Sequence, residues 1–239
     1  MKLILTAGGK GTRLKEITGD VIPKGLVRII DKPLVSYQLQ LIKKAGIKEV
    51  YVSMDEDWQI QLFKESVRIN EFPKLDYYFD THHWGHPINA FTKDNLLKFI
   101  NGEDFFLTYG DLIYDEHLLG RLYEVAHRNK TSVGCKVFAE TRKPLDGNYI
   151  SFNQDSSGRI IGYKHQDKYE LTIDTPFYFR NSALEDIRKE AMMDEPRIVR
   201  LLMRIVDNEG LSIVEPELFI NMNLPEDMEM VKKFLRSQT

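Results

Sequence analysis

Leu3-Ile4-Leu5-Thr6-Ala7-Gly8-Gly9-Lys10-Gly11-Thr12-Arg13-Leu14 opens the chain as a short apolar run that breaks into a glycine-rich turn, and Pro23-Lys24 follows soon after. Glycines at the end of a strand let the backbone take φ > 0 and come close to a ligand, so that bare N–H groups face phosphate oxygens. Lys10, Arg13 and Lys24 supply positive charge around that turn. The stretch therefore predicts a buried first strand, Lys2 to Thr6, delivering an anion-binding loop.

The sequence beyond the turn alternates. Pro33 to Ala45 reads as a helix, with proline at its start and Gly46 just past its end. Leu34, Val35, Tyr37, Leu39, Leu41, Ile42 and Ala45 give it a broad apolar face that must pack on a sheet. A strand at Glu49 to Met54, a helix at Trp58 to Ile69, a strand at Leu75 to Phe79, a helix at Asn89 to Ile100 and a strand at Asp104 to Thr108 continue the pattern. Asp115 to Arg128 reads as a further helix. Strand-helix-strand units require right-handed crossovers, so the prediction is a three-layer α/β/α fold with a mostly parallel, mixed central sheet of the Rossmann-like kind. From Ser132 to Phe179 the pattern changes to strands separated by Asp146-Gly147-Asn148 and Asp155-Ser156-Ser157-Gly158, which predicts a small antiparallel excursion over one side of the sheet. Helices near Ala183 to Met192, Pro196 to Asn208 and Pro225 to Arg236 close the chain.

A chain of 239 residues is long enough for one large α/β domain, which buries roughly three quarters of its unfolded surface. The expected organisation is a single domain over 1–239, read in two halves at 1–130 and 131–239. With 33 basic and 36 acidic residues the net charge is −3, so no global field draws nucleic acid or an anionic membrane. An anion must be held by a local cluster. The single Cys135 excludes a disulfide framework, fits a reducing compartment and reads as a small core residue. No apolar stretch is long enough for a signal peptide or a membrane span, so the expectation is a soluble, cytoplasmic protein.

Two common phosphate loops do not match. A Walker A loop requires Gly-Lys followed directly by Ser or Thr, whereas Gly11 stands between Lys10 and Thr12. A dinucleotide fingerprint starting at Gly9-Lys10-Gly11 would need its third glycine at Leu14, and Asp55 and Asp57 are poor substitutes for its ribose-binding acid. What fits is Ala7-Gly8-Gly9-x-Gly11-Thr12-Arg13-Leu14, then Pro23-Lys24, Lys32-Pro33-Leu34, the Gly46 to Val52 stretch, Tyr109-Gly110-Asp111, and Asn223 with Pro225-Glu226-Asp227. In these motifs the chain resembles the sugar-1-phosphate nucleotidylyltransferases, over nearly its whole length.

The resemblance implies a reaction. A phosphomonoester oxygen attacks the α-phosphorus of a nucleoside triphosphate, displaces pyrophosphate and gives a nucleoside-diphosphate sugar, for a surface polysaccharide or glycan. A phosphomonoester has its second pKa near 6, so at neutral pH the nucleophile needs no strong base, and the protein must align and neutralise two repelling anions. Ligands of open parallel sheets lie at the carboxyl ends of the strands, where Gly8 to Arg13 and Gly110-Asp111 would both sit. By analogy Ala7, Gly8, Gly9, Lys10, Gly11, Thr12, Arg13, Gly85 and Gly110 bind the nucleotide, and Arg13 and Lys24 act in catalysis. Asp111 and Asn223 hold Mg²⁺ through oxygen atoms. Taken alone, Asp111 also reads as a turn aspartate, Asn223 as a helix cap, and each cation as a solvated charge.

The acceptor side departs from the family. Where relatives carry Glu-Lys-Pro and Asn-Ala-Gly, this chain has Tyr163-Lys164-His165 and Ile173-Asp174-Thr175, so Lys164 and Asp174 are the acceptor-binding candidates. Trp84-Gly85-His86-Pro87 replaces a loop that borders base and sugar, and His82, His83 and His86 also admit a transition-metal site. Two alternatives stay open: a cytidylyltransferase for a non-sugar phosphate such as phosphocholine, and a regulatory relative that binds nucleotides without turnover. Members of the family are often dimers or tetramers, and nothing readable in this chain fixes the number.

Overall fold

The structure is a computed structural model that describes residues 1–9, 14, 18–19, 22–82, 86–137, 149–166 and 172–237, with backbone alone at 137, 149–151, 164–166 and 172. A seven-stranded sheet forms its centre. Its strands are β1 (Lys2–Thr6), β4 (Glu49–Met54), β5 (Asp76–Thr81), β6 (Phe105–Tyr109), β8 (Ser132–Val137), β11 (Thr172–Phe179) and β12 (Leu211–Val214), in the spatial order β12-β8-β11-β6-β1-β4-β5. All neighbouring pairs are parallel except those made by β11, which runs antiparallel to both β6 and β8.

Both faces of this sheet are covered, which is why its central strands read as continuous apolar runs. Leu3 and Leu5 of β1, Val50, Val52 and Met54 of β4, and Phe106 of β6 enter one core with the helices α1 (Leu34–Lys44), α2 (Asp57–Arg68) and α4 (Leu118–Asn129). The alternate residues Ile4, Tyr51, Phe105 and Leu107 enter the other, against α3 (Asp94–Ile100), α5 (Leu184–Ala191) and α6 (Ile198–Asn208). A third, smaller cluster joins Val27 and Ile29 of the segment after the first loop to Met222, Met228 and Val231 beside and within α7 (Pro225–Ser237). That cluster ties together two ends of the sequence that both contribute to the cleft described below.

The predicted elements are found with ends shifted by a few residues, and two expectations are corrected. The single helix expected over Asn89 to Ile100 is a 3₁₀ segment at Pro87–Thr92 followed by α3, because Lys93 adopts extended backbone between them. The antiparallel excursion is smaller than expected: β8 and β11 belong to the main sheet, and only β9 (Tyr149–Gln154) and β10 (Ile160–Gln166) form a separate ribbon. Alternation alone cannot tell a ribbon from a strand that inserts into a sheet, since polar residues such as Ser132 and Thr175 are buried here within the sheet. The short pairs β2 (Arg28–Ile29) with β3 (Lys32–Pro33), and β7 (Leu112–Tyr114) with β13 (Phe219–Asn221), together with β12, carried no pattern long enough to read. Cys135 is a buried core residue, and burial first, then the Asp174 and Asp115 carboxylates, raises its thiol pKa far above the ordinary range. Among the described residues no helix is long and apolar enough to cross a membrane.

Candidate active site

The carboxyl ends of β1, β4 and β6 open into a cavity of about 210 Å³ lined by Thr6 to Gly9, Lys24-Gly25, Asp55, His82, Pro87 and Tyr109 to Asp111. Backbone bonds register its floor. Ala7 N–H donates to Ser53 O at 3.0 Å, Gly110 N–H to Thr6 O at 2.9 Å and His82 N–H to Met54 O at 2.9 Å. Four strand ends are thus locked level before any side chain acts.

Two glycines then bring distant segments into contact. A Cβ on Gly110 would lie 2.8 Å from Ala7 Cβ, and one on Gly25 would lie 2.8 Å from Gly110 O. Real carbons do not approach so closely, so glycine at both positions is what lets the Pro23-Lys24-Gly25 turn settle on the Gly110-Asp111 corner. The result is a short ion pair. Lys24 Nζ donates to Asp111 Oδ2 at 3.1 Å and to Asn223 Oδ1 at 2.9 Å, with Lys24 and Asp111 side chains 17% and 19% exposed. Asn223 is oriented in turn: its Nδ2 donates to Asn221 Oδ1 at 2.7 Å, and its backbone N–H donates to Asp227 Oδ2 at 2.7 Å in the first turn of α7. Met222 N–H donates to Asp111 O at 2.9 Å, so the two segments also join through backbone.

The geometry tests whether a divalent cation fits. Two oxygen donors from separate elements, one carboxylate and one amide, converge on a single position held by the lysine ammonium. A hard-cation, oxygen-only donor set of this kind suits Mg²⁺, with phosphate and water completing the shell. No cluster of three or more His, Cys, Asp or Glu occurs among the described residues. His82 is not placed for a transition metal, since its ring lies between two protein partners, Ser53 Oγ at 2.9 Å from Nδ1 and Asp55 Oδ1 at 2.9 Å from Nε2.

The structure gathers Ala7, Gly8, Gly9, Lys24, Gly110, Asp111 and Asn223 at one end of the sheet. Lys10, Gly11, Thr12, Arg13 and Gly85 lie outside the described residues, as does His83. Lys164 lies on β10 opposite Ser151 of β9, and its side chain is outside the description. Asp174 pairs with Cys135 across β11 and β8 and accepts the Thr175 N–H at 2.8 Å. It reaches the cleft electrostatically: the Tyr109 phenol is raised far above its ordinary pKa by burial first, then by the Asp174 and Asp111 carboxylates. His86 caps the 3₁₀ segment, its Nδ1 accepting Ile88 N–H at 3.3 Å, and its pKa is lowered by burial and by His82 against the opposing pull of Glu190.

A scan against family descriptions matches residues 2–209 to the nucleotidyl transferase model. The chain belongs to the nucleotidyl transferase family. It is 35% identical to the D-glycero-alpha-D-manno-heptose 1-phosphate guanylyltransferase of Campylobacter jejuni over 48% of this chain and 49% of that protein. To mannose-1-phosphate guanylyltransferase 1 of Arabidopsis thaliana it is 26% identical, over 95% of this chain and 62% of that protein. The chain spans about half the length of the curated relatives it matches. In fold it is similar to an apo UDP-glucose pyrophosphorylase crystal structure, with a TM-score of 0.78, 14% identity and coverage of 99% of this chain and 98% of that one.

The cavity also takes in Gly25, Asp55 and His82, to which the sequence motifs assign no part in nucleotide binding. The signal for Asp55 was present, because it stands directly after a buried strand just as Gly110-Asp111 does. It was set aside when the dinucleotide fingerprint failed. Nothing in the sequence marked Gly25 as a contact, since its partner lies 85 residues further on.

Proposed function

We propose that this nucleotidyl transferase joins the nucleotidyl group of a nucleoside triphosphate to a sugar-1-phosphate. An oxygen of the sugar phosphate bonds to the α-phosphorus, the bond from that phosphorus to the bridging oxygen breaks, and pyrophosphate leaves with the bonding electrons. The observation carrying this reading is the Lys24 ammonium set between Asp111 and Asn223 at the carboxyl ends of parallel strands.

Each side chain has a task in that step. Among the described residues Lys24 is the lysine that lines the cavity, and it is assigned to the α-phosphate, where negative charge accumulates during in-line displacement. Asp111 and Asn223 would hold Mg²⁺, which when bound neutralises phosphate charge and orients its oxygens. Their grip on Lys24 in the absence of substrate keeps the ammonium at the reacting position. Arg13 and Lys10 are assigned to the triphosphate through charge-assisted hydrogen bonds, and Lys164 with Asp174 to the acceptor. The Tyr109 phenol, its pKa raised first by desolvation and then by the Asp174 and Asp111 carboxylates, stays protonated.

The names of the relatives, guanylyltransferases for mannose-1-phosphate and for a heptose 1-phosphate, make GTP with such acceptors the first pair to try. The test is pyrophosphate release from each of four triphosphates with a panel of sugar-1-phosphates and phosphocholine, with and without Mg²⁺. Turnover with one sugar-1-phosphate and dependence on Mg²⁺ are expected. Turnover with phosphocholine alone would replace the sugar acceptor, and nucleotide binding without turnover under any combination would make the protein a regulatory relative.

A further inference from the structure

We infer that Asp55, held by His82 and Ser53, is the positioning residue of the nucleotide loop. The inference rests on the nucleotidyl transfer reading of the cleft, and it concerns residues that neither the motif nor the likeness to relatives assigns. A carboxylate has the wrong sign for a triphosphate site, so its place against the glycine turn needs an explanation.

The explanation is that both of its oxygens are spent on the protein. Asp55 Oδ2 accepts the Gly9 N–H at 2.5 Å, while Oδ1 lies 2.9 Å from His82 Nε2. Since an ionised carboxylate only accepts, Nε2 carries the proton, and in the neutral ring Nδ1 accepts from the Ser53 hydroxyl at 2.9 Å. The backbone is fixed as well: Asp55 N–H donates to Gln59 Oε1 at 2.9 Å, and Gln59 closes the capping box at the start of α2. The Asp55 and His82 side chains are 4% and 2% exposed, so neither exchanges these partners for water. Gly8 has no room for a side chain above them, because a Cβ there would lie 2.7 Å from Asp55 Cγ.

Three anchors from three segments, Gly9, His82 and Gln59, hold Asp55 by carboxylate and backbone, and they define what the loop can do. The Gly9 N–H points down into the protein rather than toward a ligand, with Gly9 at φ +98° in the left-handed region. The Gly9 N–H is therefore taken by the protein and is not among the donors left for a phosphate. The relay from Ser53 through His82 and Asp55 to Gly9 couples the second and third strand ends to the first. It pre-organises the loop, so that less ordering is left to be done when the nucleotide binds.

The test uses the full chain and its Asp55→Ala, His82→Leu and His82→Gln variants. Triphosphate affinity is measured by calorimetry without acceptor, the Michaelis constants of both substrates by pyrophosphate release, and the Gly9 amide by hydrogen exchange in glycine-labelled protein. Asp55→Ala and His82→Leu should weaken triphosphate binding about tenfold, the worth of one charge-assisted hydrogen bond, and leave the acceptor constant within about twofold. His82→Gln, whose amide still donates to Asp55, should recover most of that loss. A general packing defect would weaken both substrates and would not distinguish Leu from Gln. Unchanged triphosphate affinity in a folded Asp55→Ala, or in His82→Leu should Asp55→Ala not fold, overturns the inference, as does equal loss in both His82 variants. Wild-type protein that binds no triphosphate sinks the nucleotidyl transfer reading instead, and the Asp55 to Gly9 contact is then still judged by whether the Gly9 amide loses its protection in the variants.

Discussion

The floor of the cleft and its acceptor wall are built by different means. The floor is backbone meeting backbone: strand ends locked in register, with Gly25 and Gly110 pressed together at distances no side chain tolerates. The proposed acceptor wall is the β9–β10 ribbon, which meets the main sheet at its turn end, where Ile213 N–H donates to Gly158 O at 2.9 Å and Tyr163 reaches Asp207 of α6 at 3.0 Å. Backbone contacts of the first kind constrain residue identity one position at a time. Side chains presented by a ribbon can be exchanged while the ribbon stays in place. The family motifs accordingly fall on the floor, and the ribbon departs from them at Lys164.

The sharpest way to break this contrast is to empty the floor of its charge. Asp111→Ala and Lys24→Ala should each lower pyrophosphate release by about a hundred- to a thousandfold, the usual cost of losing one preorganised electrostatic contact, without changing the circular dichroism spectrum. Near-full activity in either variant would remove the site from this end of the sheet. Next come the glycines. Gly25→Ala and Gly110→Ala should cost roughly 1–3 kcal/mol in urea unfolding through overpacking, and should lower turnover by parting Lys24 from Asp111. Gly120→Ala is the control, since its Cβ meets open space on an exposed helix face, and it should stabilise by up to about 1 kcal/mol.

A substitution on the wall should be milder and selective. Lys164→Met is expected to raise the acceptor Michaelis constant about tenfold and to leave triphosphate affinity unchanged, as loss of one charged contact to the acceptor alone would. An equal effect on both substrates would dissolve the division between floor and wall. The smallest effect concerns His86, at their border. Its folded pKa is lowered, so the unfolded chain binds that proton more readily and stability must rise with pH through the interval below the ordinary value of 6.5. Urea midpoints at pH 5.5 and 7.5 should therefore differ less in His86→Gln than in the wild type, and an unchanged difference would count against this assignment.

The glycine turn, the Pro23-Lys24 pair and Gly110-Asp111 were legible because each is a local pattern with a local cause: φ > 0, a charge, or a carboxylate directly after a buried strand. Most of the main sheet was legible for a similar reason, since strands covered on both faces read as unbroken apolar runs. The places of β8 and β11 in that sheet were not. A half-polar strand shows the same alternation whether it pairs within a ribbon or inserts beside β6. Asp55 was also visible and was dismissed, because its value lies in a loop 46 residues away rather than in its own neighbours.

By itself, the sequence determined that this chain is an α/β protein with a glycine-rich first loop, and which residues carry its charge. Periodicity and glycine placement act over a few residues, and a linear text records them fully. The tertiary structure alone decided that Lys24 lies between Asp111 and Asn223, that Gly25 meets Gly110, and that Asp55 and His82 hold the Gly9 turn. Such contacts arise where separate strands end at one level and a third core draws Val27 toward Met222. They depend on the packing of whole elements, which no short stretch of sequence encodes.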